Sequence, residues 1–125
     1  MGKKKILIID DEANFTKLIK LNLELTGQYE VRTENNGLLG LAAAKEFKPD
    51  LILLDIAIPG MNGYEIASAI RDDKTLKDVS IIFMTGKELD SRSLQERVAE
   101  LGAYCYLEKP CDSPEILTKI TEILG

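Results

Sequence analysis

The sequence predicts an α/β domain in which a parallel sheet lies between two layers of helices. Three short apolar runs, at residues 6–9, 51–54 and 81–84, show no alternation. Such runs are typical of parallel strands that helices cover on both faces. Segments with the helical spacing of apolar residues separate them. A regular succession of strands and helices indicates right-handed crossovers and a three-layer fold.

Five strands and five helices are predicted in order along the chain. Residues 29–33 alternate and residues 104–107 form a short run, so we expect these two strands near the margins of the sheet. The five helices are predicted from apolar residues at helical spacing. These are Phe15, Leu18, Ile19 and Leu23; Leu38, Leu41 and Ala42; Ile66, Ala67 and Ile70; Leu94, Val98 and Leu101; and Ile116, Ile120, Ile123 and Leu124.

The predicted helix boundaries agree with this order. Gly27 and Gly102 stand where a left-handed residue ends a helix, and Pro49 cannot continue the second helix. Ser113 is predicted to cap the last helix, with Pro114 at its first position. No linker or repeat interrupts the pattern, so we expect one domain over residues 1–125, with no output domain among them.

Composition excludes several classes of protein. The chain is 45% hydrophobic and 30% charged, which is typical of an ordinary globular domain. No apolar run approaches the roughly 18 residues that span a bilayer, and the start lacks the features of a signal peptide. We therefore expect a cytoplasmic protein with no membrane partner. The net charge of −5 disfavours direct nucleic-acid binding.

Residue types narrow the chemistry further. The chain contains no histidine and two cysteines, Cys105 and Cys111. This excludes the usual zinc spacings, a thioredoxin motif and any catalytic triad that needs its own imidazole. We expect two reduced, structural thiols.

Polar residues follow the predicted strands where a site is expected. In open α/β sheets ligands bind beyond the carboxyl ends of the strands. If the first and third strands are neighbours, their terminal aspartates converge and their repulsion demands a cation, for which Mg²⁺ is suited. A hydroxyl and an ammonium add donors for phosphoryl oxygens. The residues are Asp10, Asp11 and Glu12 after the first strand, Asp55 after the third, Thr85 after the fourth and Lys109 after the fifth.

Each residue also has a simpler explanation. Asp11 and Asp55 are placed where an aspartate often caps the next helix. Thr85 is a possible turn former, and most lysines, such as Lys109, are solvated. These explanations weaken when taken together, because they require independent coincidences at the ends of four strands.

The sequence resembles the receiver domains of bacterial two-component response regulators, in particular the single-domain chemotaxis-regulator type. The resemblance covers essentially the whole chain, and its motifs occur in order at receiver-like spacing. The matching segments are residues 8–12 (Ile-Ile-Asp-Asp-Glu), 49–55 (Pro-Asp-Leu-Ile-Leu-Leu-Asp), 58–63 (Ile-Pro-Gly-Met-Asn-Gly), 84–86 (Met-Thr-Gly), 102–103 (Gly-Ala) and 106–110 (Tyr-Leu-Glu-Lys-Pro).

The resemblance implies a doubly wound, flavodoxin-like sheet of strand order 2-1-3-4-5 and a role for each site residue. Asp55 is the implied phosphoacceptor, and Lys109 pairs with the phosphoryl group. The implied Mg²⁺ ligands are Asp10, Asp11, Asp55 and the backbone carbonyl of Ala57. The implied switch residues are Thr85 and Tyr106, and the bond between Lys109 and Pro110 is implied to be cis.

The implied function is a phosphorylation-activated switch rather than an enzyme in the usual sense. The phosphodonor is a phosphohistidine on a sensor histidine kinase or a histidine phosphotransfer protein, which fits a chain without histidine. The phosphoryl group draws Thr85 inward and opens space for Tyr106. We expect the readout to be a surface formed by residues 91–101, 104–107 and 114–124, which a downstream protein target recognises.

Three other classes of function share features with this sequence. A haloacid-dehalogenase-type phosphatase needs an Asp-x-Asp nucleophile on the first strand, whereas here Asp10 and Asp11 are adjacent. A flavodoxin-like electron carrier needs a phosphate loop that this acidic run would repel, and no Gly-rich nucleotide motif occurs. A receiver-like scaffold that works without phosphorylation is the remaining alternative.

Two departures from the receiver pattern concern how long the phosphoryl group persists. The side chains two positions after the acceptor and two after the threonine are placed, by resemblance, to hold or exclude the attacking water. They are Ala57, which has no polar group, and Lys87, which cannot accept a hydrogen bond from water. Both predict slow self-dephosphorylation. Ile58, where methionine is frequent, is a swap of nearly equal volume.

Overall fold

The protein is a doubly wound α/β domain, as the sequence predicts. The computed structural model describes residues 2–86 and 91–125, and only the backbone of Ser91. Five parallel strands lie in the order β2-β1-β3-β4-β5. The elements are β1 (Lys4–Ile9), α1 (Ala13–Leu25), β2 (Tyr29–Glu34), α2 (Gly37–Phe47), β3 (Leu51–Asp55), α3 (Gly63–Asp72), β4 (Ser80–Thr85), α4 (Ser91–Leu101), β5 (Cys105–Glu108) and α5 (Ser113–Leu124).

The helices cover both faces of the sheet. On β1, Leu7 and Ile9 pack on the face that α2, α3 and α4 cover, whereas Ile6 and Ile8 pack on the face that α1 and α5 cover. All four side chains are fully buried. Because successive strand residues point to opposite faces, burial on both faces explains the apolar runs without alternation. β2 and β5 lie at the edges, as predicted.

Some of the apolar residues from which the helices are predicted do not face the core. Leu18 and Leu38 are 55% and 63% exposed, and Ala42 is exposed too. The buried side of α2 consists of small residues because the helix lies very close to β1. A Cβ at Gly40 would be 2.7 Å from Cγ2 of Ile9. Larger side chains on that side would force the helix away from the sheet.

The predicted helix ends at Gly27 and Gly102 are confirmed. Both have a positive φ, of 77° and 65°, a conformation that glycine adopts at little cost. α2 ends at Phe47, and the next residue, Lys48, takes the left-handed conformation before Pro49.

The cap of α5 differs from the prediction. Asp112, not Ser113, is the N-cap, and its side chain accepts a hydrogen bond from the amide of Glu115 at 3.0 Å. The hydroxyl of Ser113 instead accepts a 2.7 Å hydrogen bond from Asn22 on α1. Pro114 therefore lies at the second helical position and not, as predicted, at the first, although it is still in the first turn. Asp112 and Ser113 are both good caps, so only the backbone conformation decides between them.

Arg71, at the end of α3, connects two loops on the side of the sheet where the strands begin. Its guanidinium donates to the carbonyls of Leu101 and Gly102 at 2.8 and 2.9 Å. It also donates to those of Lys77 and Val79 at 2.8 and 2.7 Å. Arg71 therefore fastens the C-terminal end of α4 to the segment that leads into β4.

The sequence also predicts two free thiols and no membrane-spanning segment. Cys105 and Cys111 are free thiols. Among the helices of residues 2–86 and 91–125, none combines the length and the apolar character needed to cross a bilayer.

Candidate functional site

The polar residues predicted from the sequence meet at the carboxyl edge of the sheet. The register pairs Ile9 of β1 with Leu54 of β3, so the residues that follow them, Asp10 and Asp55, stand side by side. In the same way, Thr85 at the end of β4 pairs with Glu108 of β5, and Lys109 follows directly. Strand pairing alone therefore brings together residues that are up to 99 positions apart.

Three aspartates form an acidic group at this edge. Asp10 is fully buried and Asp55 is 5% exposed, whereas Asp11 is exposed. One carboxylate oxygen from each lies within 4.8 Å of the others. Asp10 Oδ1 accepts a hydrogen bond from the amide of Glu12, and Asp55 Oδ1 accepts one from the amide of Ala57. The second oxygen of each buried carboxylate, Oδ2, takes no part in these bonds.

Lys109 lies among these carboxylates. Its ammonium donates to Glu12 at 2.7 Å and to Asp55 at 3.3 Å, and it forms an ion pair with Asp10. The ammonium also lies 5.0 Å from the centre of the Phe15 ring. The side chain is only 17% exposed, so Lys109 is not a solvated lysine.

Burial and repulsion set the protonation of the acidic group. Burial, followed by the charge of Asp10, raises the pKa of Asp55 to about 6. Burial also raises the pKa of Asp10, more strongly than its contact with Lys109 lowers it. For Lys109, burial disfavours the charged form, yet its contacts with Asp10 and Glu12 raise its pKa above the ordinary value. One ammonium is too little positive charge for this group of carboxylates.

The donor set fits a hard divalent cation. Mg²⁺ prefers oxygen ligands and is commonly held by one or two carboxylates together with phosphate oxygens. Asp10 Oδ2 is buried and accepts no hydrogen bond in the described part of the chain, although it contacts Lys109. A buried carboxylate oxygen with an unused lone pair is suited to a cation. The carbonyl of Ala57 as a ligand stays a prediction.

The cap explanation does not hold for the aspartates. The N-cap of α1 is Glu12, whose side chain makes no capping hydrogen bond. The N-cap of α3 is Asn62, which forms a capping box with Glu65. Neither Asp11 nor Asp55 therefore caps a helix, so their placement beside Asp10 needs another explanation.

Of the two predicted switch residues, Thr85 lies next to the acidic group and Tyr106 lies below it, on β5. Thr85 is 1% exposed, and its hydroxyl donates to the carbonyl of Gly86 at 3.1 Å. Tyr106 is partly buried on β5, where it pairs with Phe83 of β4 and packs against the core beneath α4. Their switching roles stay predictions. Lys87 lies outside the described residues.

Two neighbours of the site carry contacts that the sequence did not reveal. The sequence marks Glu12 as the third acid of a run, but its pairing with Lys109 joins positions 97 apart. Asn35 donates from its side-chain amide to the carbonyl of Asp10 at 2.7 Å. No sequence motif marks this asparagine, because the contact depends on the pairing of β1 with β2.

Residues 6–121 match the response regulator receiver domain family. The chain is 35% identical over 121 residues to the alkaline phosphatase synthesis transcriptional regulatory protein PhoP of Bacillus subtilis, covering 97% of this chain and 48% of that protein. It is 33% identical over 122 residues to the polar-differentiation response regulator DivK of Brucella anthropi, covering 98% and 97%. The chain thus spans about half the length of the transcriptional regulator and nearly all of the second relative.

Solved structures show the same fold. The chemotaxis response regulator CheY4 of Vibrio cholerae superposes with a TM-score of 0.88 at 26% identity, covering 98% of this chain and 100% of the other. A CheY-like response regulator receiver domain protein of Methanospirillum hungatei gives a TM-score of 0.86 at 30% identity, covering 97% and 93%. The likeness extends over almost every residue of the sheet and helices.

Proposed function

The chain belongs to the response regulator receiver domain family, and from this premise we propose that it is a phosphorylation-activated switch with Asp55 as phosphoacceptor. The observation that carries the proposal is the position of the Asp55 carboxylate. It is nearly buried, beside two other aspartates and 3.3 Å from the ammonium of Lys109. A nucleophile, cation ligands and a charge partner are thus held at one point.

Asp55 is placed to act as a nucleophile. A carboxylate oxygen attacks the phosphorus of the donor, the bond between phosphorus and the leaving group breaks, and an acyl phosphate forms. The amide of Ala57 holds Oδ1 of Asp55, which restricts rotation of the carboxylate. Lys109 offsets the charge of the transferred oxygens, since phosphoryl transfer depends mainly on positioning and neutralisation.

Mg²⁺ completes the proposed site. Asp10, Asp11 and Asp55, with the carbonyl of Ala57, would hold the ion. When bound, it supplies the positive charge that neutralises the phosphoryl oxygens. The acidic group favours this, because a single ammonium, that of Lys109, faces it among the described residues.

We propose that the phosphoryl group comes from a phosphohistidine on a sensor histidine kinase or a histidine phosphotransfer protein. Residues 1–125 contain no histidine, so a phosphohistidine donor has to lie outside them. The reaction takes place once on the chain's own side chain, and we therefore describe the protein as a signalling phosphoprotein rather than an enzyme. We place it in the cytoplasm, where free thiols such as Cys105 persist.

The proposed output is a change of surface on α4, β5 and α5. A phosphoryl group on Asp55 adds about two negative charges and three acceptor oxygens. The Thr85 hydroxyl, whose one hydrogen bond among the described residues goes to the carbonyl of Gly86, turns towards these oxygens. Tyr106, packed beneath α4, then moves into the space that is vacated, and a downstream protein recognises the altered surface.

A phosphorylation assay tests the proposal. The full chain is incubated with a small-molecule phosphodonor, with Mg²⁺ or with a chelator, and its intact mass is measured. We expect one phosphoryl group with Mg²⁺ and none with the chelator or in Asp55→Asn. Asp50→Asn is a matched control, because Asp50 precedes the same strand at its opposite end and accepts a hydrogen bond from Lys5.

The same assay separates the switch from a scaffold that works without phosphorylation. If the wild-type chain takes up no phosphoryl group under any Mg²⁺ condition, the proposed function is wrong and the scaffold is favoured. If Asp55→Asn accepts the phosphoryl group at the wild-type rate, the acceptor assignment is wrong.

A further inference from the structure

We propose that Asn35 is a positioning residue that aims the two aspartates of the β1–α1 loop at the metal ion. This inference rests on the proposed function, because it concerns the Mg²⁺ site that the function requires. Asn35 touches neither the ion nor the phosphoryl group in this proposal. It acts through the backbone of Asp10.

The backbone of Asp10 is held from both sides by consecutive residues of the neighbouring chain segment. Its amide donates to the carbonyl of Glu34, the last residue of β2, at 3.1 Å. Its carbonyl accepts from the side-chain amide of Asn35, the next residue, at 2.7 Å. The first bond only continues the β1–β2 ladder. The second needs a side chain with a donor, and Asn35 supplies it.

The orientation of the Asn35 amide follows from its partners. Its nitrogen also lies 3.3 Å from the hydroxyl of Thr16, which in turn donates to the carbonyl of Ala13. A carbonyl such as that of Asp10 can only accept, so the nitrogen and not the oxygen of the amide must face it. Thr16 is 1% exposed. Asn35 thereby joins the end of β2 to both the loop and the first turn of α1.

The carbonyl of Asp10 belongs to the peptide that links Asp10 to Asp11. Fixing that carbonyl fixes the peptide plane, and the plane sets the direction in which each flanking side chain leaves the backbone. Asp10 has further restraints, because its carboxylate contacts Glu12 and Lys109. The carboxylate of Asp11 has no hydrogen bond or ion pair to any described residue. Its direction therefore depends mainly on the peptide that Asn35 holds.

The neighbouring asparagine provides a matched control. Asn36 caps α2, and its side chain accepts from the amides of Leu38 and Leu39 at 2.9 and 3.2 Å. It makes no contact with the β1–α1 loop in the described hydrogen bonds. Asn35→Ala and Asn36→Ala thus remove the same group from adjacent positions, one behind the metal ligands and one at a helix end.

The test is a calorimetric titration of the full chain with Mg²⁺, together with urea unfolding in a chelator. We expect Asn35→Ala to bind Mg²⁺ about tenfold more weakly, the lower end of the range for residues that support metal ligands. Asn36→Ala should bind within twofold of wild type but unfold at lower urea. Asp11→Ala serves as a reference that removes a ligand outright and should weaken binding further.

A second readout separates positioning from a general structural effect. In the phosphorylation assay, Asn35→Ala should need a higher Mg²⁺ concentration for half-maximal rate yet reach the wild-type plateau. Mg²⁺ binding by Asn35→Ala within twofold of wild type, or an equal loss in Asn36→Ala, would overturn the inference alone. A wild-type chain that binds no Mg²⁺ would overturn the proposed function as well.

Discussion

The ammonium of Lys109 lies 3.3 Å from Oδ2 of Asp55, although 54 residues separate them in the chain. The same ammonium also contacts Glu12 and Asp10. Lys109 is therefore shared among three carboxylates in the structure described here. Among the described residues, the acidic group holds more negative charge than one lysine balances, and the proposed Mg²⁺ would offset the excess.

The imbalance predicts a stability gain when the acceptor is neutralised. The pKa of Asp55 is raised to about 6, above its ordinary value near 4. The folded state therefore binds this proton more tightly, and ionised Asp55 destabilises the fold above pH 6. Without Mg²⁺ at pH 8, Asp55→Asn should raise the free energy of unfolding by about 1 to 3 kcal/mol.

Urea unfolding in a chelator checks the sign and the pH window. The gain should shrink as the pH falls from 6 towards 4, because wild-type Asp55 then becomes neutral in the fold. Asp50→Asn, an exposed aspartate at the other end of β3, should show no such gain. A gain of equal size at pH 8 and pH 4.5 would show that the charge of Asp55 is not its cause.

Thr85→Ala and Tyr106→Ala should leave phosphorylation possible but disconnect it from the α4–β5–α5 surface. The measurement is the set of NMR shifts over residues 91–107, with and without a phosphoryl mimic. Tyr104→Ala is the control, because Tyr104 is 52% exposed on the same segment and its hydroxyl donates to Glu122 on the surface. If wild type and both switch variants respond alike, Thr85 and Tyr106 are not the switch.

The lifetime of the phosphoryl group should depend on the side chains at positions 57 and 87. Ala57→Asn combined with Lys87→Glu supplies groups that can orient an attacking water. Loss of phosphate, measured without any phosphatase, should speed up about ten- to a hundredfold, while Asp55 phosphorylation is retained. An unchanged or slower decay in this double variant would mean that something other than these two side chains governs access of water.

Arg71→Lys should destabilise the fold because lysine cannot reproduce a planar guanidinium that donates to four carbonyls. We expect a loss of about 2 kcal/mol in the free energy of unfolding, with faster amide exchange at residues 101–104. Arg97→Lys is the control, since Arg97 makes an exposed ion pair with Glu100. Equal losses in the two variants would show that the four hydrogen bonds of Arg71 stabilise the fold no more than an exposed ion pair does.

The sequence predicted the sheet and much of the site for one physical reason. Runs such as residues 51–54 are apolar throughout because both faces of a parallel strand are buried. Once the strands are aligned, Asp10 and Asp55 must follow them at the same edge. The local pattern of apolar residues was therefore enough to predict both the fold and the convergence of the aspartates.

Other features depend on how closely the elements approach one another, and this is not encoded in a local pattern. Leu38 fits a helical stripe, yet α2 turns glycine and alanine towards β1 because Gly40 lies against Ile9. The contacts of Glu12 with Lys109 and of Asn35 with Asp10 join distant positions. Glutamate and asparagine are common at surfaces and in loops, so the sequence alone predicts neither contact.

The central claim is that Asp55 becomes an acyl phosphate. Its most direct test is to phosphorylate the wild-type chain with a small-molecule donor and Mg²⁺, reduce it with borohydride, and map the peptides by mass spectrometry. Reduction of an aspartyl phosphate yields homoserine at the modified position. We predict homoserine at position 55 and unmodified aspartate at positions 10, 11 and 50. Homoserine at position 10 or 11, or an unmodified Asp55 in a phosphorylated chain, would contradict the account.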